Sequence, residues 1–348
     1  MILLHILKKY TTLVFVIFSV TTTQAFNSSY FYRASSFWDE PRFERQLLST
    51  FAVELTGGST CISRDNCGRK VPLLSILSEK QNLTDGRIDV FEIDSHYTQN
   101  FCGGIFTEIS VPFTVVQIRP SFKGTCHECS AQCSQEHTSL CSTAITSQCR
   151  RTQLIDSTAL IGWTYNNENT TVLDFIDTTL KAGALLPTSN RPCTNNPLGI
   201  PLGYNNTWGI VGSATLSAGM YDWLTAGIHA DGIIFPKKNR SIGNVWRIGA
   251  YGKADHIYKG LSFSLAFTYE QQNKLSKHNC TSKSLAIPLI KGWSRSLVHL
   301  LIEYDFIRYE CSCYPTISLI YNRHLTGKRV FQTNTLGAYL ACSLSWCF

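Results

Sequence analysis

Two stretches of the sequence place a histidine beside a carboxylate on one face of a predicted strand. His229 is followed two residues later by Asp231, and His299 is followed by Glu303 and Asp305. Such a pair could act as a general base or activate a nucleophile. No G-x-S-x-G or comparable nucleophile signature accompanies them, and same-face charges also arise from strand alternation alone. The sequence therefore predicts that the chain is not an enzyme.

Cysteine is the other reactive residue type, with fourteen in the chain. The densest group is Cys126, Cys129, Cys133, Cys141 and Cys149. A zinc site would use the C-x-x-C with His127 or His137, but no second C-x-x-C or H-x-x-x-H lies at the usual distance. In an exported chain these five cysteines are predicted to form disulfides, and free or intermolecular thiols remain the alternative. No metal and no cofactor is expected.

The N-terminus predicts export. Lys8 and Lys9 precede a short apolar run at 11–20, and Thr23-Gln24-Ala25 offers small residues at the positions that a signal peptidase reads. The apolar run is about half of the roughly 20 residues that a membrane-spanning helix needs, which disfavours an anchor. We interpret residues 1–25 as a cleaved signal peptide.

Net charge and mean hydropathy exclude few classes of protein. The net charge is +7, and no run of lysine or arginine interleaves with aromatic residues, so no nucleic-acid partner is expected. The mean hydropathy of -0.03 would suit a soluble protein. It would also suit a transmembrane β-barrel, in which polar interior residues dilute the lipid-facing ones. Only the period of the hydrophobic pattern separates the two classes.

That period is two over most of the chain. Clear alternation predicts strands at 174–186, 207–220, 223–235, 244–257, 261–271, 295–306, 316–324 and 334–348, and weaker patterns predict strands at 49–58, 88–98, 105–118 and 158–166. The five strands predicted within 174–271 are about 11 to 14 residues long, more than the 5 or 6 common in globular proteins and enough to cross a membrane when tilted. Pro112 requires a bulge or an edge. The sequence predicts an all-β, antiparallel transmembrane barrel of about twelve strands, within a range of 10–14.

Short turns alternate with longer loops between these strands, as they do between the periplasmic turns and outer loops of such barrels. Aromatic residues at strand ends, such as Trp208 and Trp223, suit interfacial girdles. The polar face is predicted to line the lumen. Its candidate lining residues are Asp177, Lys181, His229, Asp231, Arg247, Lys253, Asp255, Glu270, Arg295, His299 and Glu303. A lumen with both signs of charge would be hydrated and would bias ions, or ion pairs would simply fill a narrow barrel.

The final strand carries Leu340, Leu344 and Trp346 on its apolar face and ends the chain on Phe348. This ending resembles the C-terminal membrane-assembly signal of bacterial outer-membrane β-barrel proteins. In broad outline the signal peptide, barrel pattern, terminal Phe and cysteine content also resemble the cysteine-rich chlamydial major outer-membrane porins. The resemblance implies outer-membrane localisation, with lipids, the barrel-assembly machinery and small solutes as partners.

We therefore expect a signal peptide at 1–25, an N-terminal extension at 26–48 and a barrel at 49–348, with cysteine-rich, cystine-tied external loops at 59–86 and 120–155. The expected function is porin-like passive diffusion of small solutes across the outer membrane. The alternative is a disulfide-linked structural or adhesive barrel without an open pore. A secreted, disulfide-rich β-sandwich is disfavoured by strand length. Homo-oligomerisation stays open.

Overall fold

The computed structural model describes residues 47–73, 85–121, 149–168, 173–189, 203–204, 206–236, 243–274, 292–306, 313–332 and 334–346. The predicted signal peptide and N-terminal extension lie outside these ranges, apart from residues 47 and 48. None of the helical segments in the described part is long and apolar enough to cross a membrane.

Twelve long strands form the main sheet, and four short ones accompany them. The long strands are β1 (Leu47–Thr60), β4 (Asp85–Asn100), β5 (Ile105–Ser121), β7 (Ser157–Asn167), β8 (Phe175–Leu186), β9 (Gly209–Met220), β10 (Leu224–Ile234), β11 (Val245–Tyr258), β12 (Leu261–Gln272), β13 (Trp293–Asp305), β14 (Cys313–Lys328) and β16 (Asn334–Trp346). The short strands are β2 (Ile62–Arg64), β3 (Lys70–Pro72), β6 (Cys149–Leu154) and β15 (Val330–Phe331). Each of the twelve predicted strands corresponds to one long strand.

The sheet closes on itself. Neighbouring long strands pair antiparallel in chain order from β7 to β14, β14 then pairs with β16, and β16 pairs with β1. The ring is completed because β1 pairs with β4, β4 with β5, and β5 with β7. The predicted all-β, twelve-stranded antiparallel barrel is therefore confirmed.

Alternation gives the barrel two chemically different faces. Along β12, Leu261, Phe263, Leu265 and Phe267 are 38–52% exposed, whereas the two serines and the alanine between them are buried. The same pattern holds on β9 and β10, where exposed leucine and isoleucine alternate with buried small or polar residues. The outer surface is thus an apolar band suited to hydrocarbon, and the polar residues face the interior.

The two ends of the barrel differ in the length of their connections. At one end, which we call the turn end, β9 joins β10 through 221–223 and β11 joins β12 through 259–260. Tyr221 and Asp222 both have a φ of 59°, as a tight hairpin turn with the sheet's own twist requires. At the other end, the loop end, most connections are longer. The predicted asymmetry of short turns and longer loops is confirmed.

Two regions that the sequence predicts as loops contain short strands. The region predicted as a loop at 59–86 contains β2 and β3, which join β15 in a separate three-stranded sheet at the loop end. The region predicted as a loop at 120–155 contains β6, which pairs with β5 over Phe113–Ile118. Residues 155 and 156 form a bulge between β6 and β7, opposite Pro112, and the Ile155 N–H donates to the Pro112 carbonyl at 2.9 Å. Pro112 therefore lies at a bulge, as its missing N–H demands.

Candidate functional site

The interior of the barrel is polar in its middle part, which we call the polar layer. Of the predicted lining residues, nine are buried: Asp177, His229, Asp231, Arg247, Asp255, Glu270, Arg295, His299 and Glu303. The side chains of the other two, Lys181 and Lys253, are 11% and 14% exposed. The structure brings most of these residues together in small groups, because long inward side chains on neighbouring strands meet across the ladder.

The first group joins β9, β10 and β11. Arg247 donates to Asp231, with Nε 2.8 Å from the carboxylate Oδ2, and the ring of His229 contacts the same oxygen. The other ring nitrogen of His229 lies 2.9 Å from the Thr215 hydroxyl. All four side chains are buried, so the guanidinium offsets a carboxylate that water scarcely reaches.

Further ion pairs continue around the wall. The Lys253 ammonium lies 2.9 Å from both the Asp255 and the Glu303 carboxylates. Arg295 pairs with Glu270, which is fully buried. On the opposite wall the Lys181 ammonium is 3.0 Å from Glu108. Asp177 is the remaining predicted residue and lies on β8 with Ser217 as its cross-strand neighbour.

A chain of hydrogen bonds without a formal ion pair links four adjacent strands. The His299 ring lies 2.7 Å from the Thr268 hydroxyl and 2.6 Å from the Asn322 amide oxygen. Asn322 in turn donates to the Thr335 hydroxyl at 2.7 Å. His299 therefore bonds across the strands rather than to Glu303 and Asp305, the partners that the sequence pattern suggested.

Both histidines lie between a threonine hydroxyl and a second polar group, an arrangement that superficially matches a hydrolytic relay. Thr215 is 5% exposed and Thr268 is fully buried. A carbonyl substrate would have to reach these hydroxyls within about 3 to 3.5 Å. In the structure the two groups instead hydrogen-bond across neighbouring strands, and His229 also lines a cavity in the interior.

The sequence analysis missed the acidic wall formed by β1 and β4. Glu54 and Asp94 are direct cross-strand neighbours, and both are buried. His96 lies 2.7 Å from Asp94, and Glu92 accepts a hydrogen bond from Thr114 at 3.0 Å. Alternation at 49–58 and 88–98 could have placed these carboxylates inside had each face been assigned residue by residue.

Carboxylates outnumber cationic groups in the polar layer. Among the described strand residues whose side chains point inward, the carboxylates include Glu54, Glu92, Asp94, Glu108, Asp177, Asp231, Asp255, Glu270 and Glu303, against the cationic side chains Lys181, Arg247, Lys253 and Arg295. The interior therefore carries a negative potential, which attracts cations and repels anions.

Towards the loop end the interior changes to apolar side chains, which we call the apolar plug. Its buried members are Leu73, Ile88, Val90, Val116, Ile118, Leu185, Tyr204, Val211, Ile233, Phe235, Val245, Trp293, Val330 and Phe331. Leu73 directly follows β3, and Val330 and Phe331 form β15, so the small sheet contributes to the plug. Side chains from barrel strands and loop-end segments meet there and narrow the interior.

One loop-end segment is fastened to the bulge between β6 and β7. Asp156 accepts hydrogen bonds from the Ser189 hydroxyl at 2.6 Å and the Ser189 backbone N–H at 3.0 Å. The backbone N–H of Tyr204 donates to the same carboxylate, and the Tyr204 ring packs on Phe235 with centroids 5.4 Å apart. The bulge therefore anchors the described parts of the β8–β9 connection over the interior.

A cavity of about 80 Å³ lies where the polar layer meets the apolar plug. Its polar lining includes Glu108, Lys181 and Asp231, and its apolar lining includes Leu185 and Ile233. This cavity has room for a small molecule beside charged groups.

The predicted assembly signal and cysteines are only partly described. Leu340 and Leu344 are 44% and 40% exposed on the outward face of β16. β16 ends at Trp346, and Phe348 lies outside the described residues. Cys126, Cys129, Cys133 and Cys141 also lie outside them, and of Cys149 only the backbone is described, at the start of β6. Cys61 and Cys67 are exposed free thiols, so these two do not tie the 59–86 connection as expected.

No protein family and no curated protein matches this sequence. Among solved structures, an outer membrane channel from Pseudomonas putida F1 superposes with a TM-score of 0.57 at 10% identity, covering 88% of this chain and 98% of that one. A Pseudomonas aeruginosa FadL homologue covers 93% and 99% at 9% identity with a TM-score of 0.39. The translocator domain of the Neisseria meningitidis autotransporter NalP covers 88% and 90% at 8% identity with a TM-score of 0.38.

The last two scores are below 0.5, so only the likeness to the first channel bears on the fold. Because 98% of that channel is covered, the two barrels correspond over their whole length. The protein described here therefore has the fold of a bacterial outer-membrane β-barrel.

Proposed function

We propose that this protein is an outer-membrane channel for passive diffusion of small solutes, with a preference for cations. The acid-rich polar layer carries the proposal. Burying ion pairs contributes little net stability compared with apolar packing, so a barrel needing only a filled interior would be more stable with an apolar one. A charged interior is useful when solutes and water pass through it.

The outer face supports the localisation. Exposed leucine, isoleucine and phenylalanine form an apolar band around the barrel, which must be covered by hydrocarbon. The fold is also that of an outer membrane channel from Pseudomonas putida F1. Lipids of the outer membrane and the barrel-assembly machinery are therefore the expected partners, and export through a signal peptide at 1–25 remains part of the proposal.

The second candidate is a closed barrel with a structural or adhesive role. The apolar plug favours it, because fourteen buried apolar side chains at the loop end would oppose the passage of hydrated ions. The two candidates differ in whether this plug can open.

Conductance of the purified chain in a planar lipid bilayer tests the choice. We expect stepwise currents that carry K⁺ in preference to Cl⁻ in a salt gradient. Phe331→Ala removes a buried ring of the plug and should increase conductance, whereas Phe51→Ala on the outward face should not. If the native protein and the Phe331→Ala variant both insert but neither conducts, the closed barrel would be the remaining candidate. An anion preference would refute the role of the acidic interior.

A further inference from the structure

The cavity between the polar layer and the apolar plug has a charged side and an apolar side. On the charged side, Glu108 and Lys181 form an ion pair at 3.0 Å, and Asp231 is held by Arg247. On the apolar side, Leu185, Val211 and Ile233 come from three consecutive barrel strands. A ligand that fills the space must therefore present a polar end and a short hydrocarbon part.

The charge balance of the lining selects a cation. Three carboxylates line the cavity, those of Glu108, Asp156 and Asp231, together with the Lys181 ammonium and the imidazole rings of His96 and His229. Arg247 lies behind Asp231 and offsets one carboxylate, which still leaves an excess of negative charge. In addition, the Asp231 Oδ1 atom is buried and accepts no hydrogen bond from any residue that the structure describes. The site can therefore accept hydrogen bonds from a cationic donor.

The volume limits the ligand to a few atoms. An engineered cavity of roughly 150 Å³ holds benzene, so about 80 Å³ has room for three or four non-hydrogen atoms. A hydrated inorganic ion would place its water shell against Leu185, Val211 and Ile233, which is unfavourable. A short alkyl chain would instead pack against these side chains.

We propose that this cavity binds a small primary alkylammonium ion, of the size of ethylammonium or propylammonium, with its ammonium group at Asp231 and Glu108 and its alkyl chain against the apolar side. The inference rests on the proposed function, since it names a solute class for the channel. Binding itself requires no current, so the two can fail separately.

Equilibrium dialysis of radiolabelled propylammonium against the detergent-solubilised protein tests the proposal. We expect saturable binding to one site per chain, with competition by ethylammonium. Propionate, which has the opposite charge, and propanol, which has none, should not compete. Absence of saturable binding, or equal competition by propanol, would overturn the proposal even if the bilayer recordings show channels. Saturable binding without any conductance would instead overturn only the proposed channel.

Two variants on one strand localise the site. Ser213 lines the cavity, so Ser213→Leu should fill it and weaken propylammonium binding by about tenfold or more, the loss of roughly one well-placed contact. Ser217→Leu adds the same side chain on the same inward face of β9, outside the cavity lining, and should leave binding within about twofold. Equal weakening by both would place the ligand elsewhere.

Glu108→Gln provides a test should Ser213→Leu fail to fold. The amide retains a hydrogen-bond acceptor for Lys181 but removes the negative charge from the cavity. Propylammonium binding should fall, because the loss of one negative charge weakens the attraction for the ammonium group. Unchanged propylammonium binding in Glu108→Gln would contradict recognition by charge.

Discussion

In the polar layer, Asp231 and Arg247 are buried as an ion pair, whereas two residues further along the same strands Ile233 and Val245 are buried in the apolar plug. A strand rises about 3.3 Å per residue, so less than about 7 Å separates a charged interior from an apolar one. The two regions share these strands and their register, and they differ in the inward side chains and in the loop-end segments that join the apolar plug. The barrel wall therefore does not dictate what fills it.

The comparison implies different responses to mutation. In the polar layer each side chain has a specific partner, and losing one leaves a buried charge or an unsatisfied hydrogen-bonding group. In the apolar plug the neighbours are interchangeable, and losing one side chain leaves a cavity. Variants in the two regions should thus differ in what restores stability: a matched second change in the polar layer, and added volume in the plug.

The largest effect is expected from Arg295→Met. Glu270 is fully buried against Arg295, so the variant leaves an uncompensated carboxylate and should lower the free energy of unfolding by about 3 to 5 kcal/mol. Urea titration of the folded barrel in detergent measures the change. The double variant Glu270→Gln/Arg295→Met removes both charges and should recover most of the loss. A double variant no more stable than Arg295→Met would contradict the pairwise picture.

Leu73→Ala should have a somewhat smaller effect, confined to the apolar plug. Leu73 is fully buried there yet lies outside the barrel strands, and a leucine truncation of this kind removes about 2 to 5 kcal/mol. Amide hydrogen exchange should accelerate in β2, β3 and β15 and remain unchanged in β9 and β10.

Val71→Ala is the matched control for that measurement, since Val71 is only partly buried against the same cluster and its truncation should accelerate exchange less. Loss of protection throughout the barrel in Leu73→Ala would mean that plug and barrel unfold as one unit, contrary to the comparison.

The contrast also explains what could be predicted from the sequence. Alternation identified all twelve long strands, because one apolar face and one polar face repeat over lengths that few soluble proteins reach. It also assigned Arg247, Asp255 and Glu303 to the inward face, where the structure places them. Which residues pair across strands depends on the register of neighbouring strands. That register is set when the ring of strands closes, so it cannot be predicted from a local sequence pattern.

The apolar plug was missed because its inward residues look like failed alternation. At the loop end of β8, Leu185 and Leu186 are both apolar, and Ile233 and Ile234 are both apolar at the loop end of β10. One of each pair faces outward and the other inward. Pairs of consecutive apolar residues at the same end of several strands would have indicated the apolar plug. At that end the outward face meets hydrocarbon and the inward face meets an apolar interior, so both faces are apolar.

Asn322→Ala is expected to have an intermediate effect within the polar layer. The amide bridges His299 and Thr335, and its loss leaves two buried groups without that partner, which should lower the free energy of unfolding by about 2 kcal/mol. Asn322→Asp keeps the side-chain shape and an acceptor for His299 but adds a negative charge. The loss of unfolding free energy in Asn322→Asp should therefore depend on pH, whereas the loss in Asn322→Ala should not. Urea titrations at two pH values distinguish them. Equal, pH-independent losses would argue that only volume matters at this position.

The smallest effect is expected in the exposed hairpin between β2 and β3, where the plug's small sheet meets solvent. The Asp65 carboxylate accepts hydrogen bonds from the backbone N–H groups of Arg69 and Cys67 and pairs with the Arg69 side chain at 2.9 Å. The backbone hydrogen bond from Arg69, with the other contacts, lowers the pKa of Asp65. Because the folded hairpin lowers this pKa, the carboxylate stabilises the hairpin above its unfolded pKa, and the contribution is lost as pH falls through the lowered value.

Hydrogen exchange of the Cys67 and Arg69 amides, corrected for intrinsic rates, should therefore show less protection at acidic pH, while the buried amides of β12 do not change. Asp65→Asn should remove the pH dependence and leave both the plug and the polar layer intact, since Asp65 belongs to neither. If Asp65→Asn instead accelerated amide exchange in the plug, the solvent-facing turn would itself stabilise the plug.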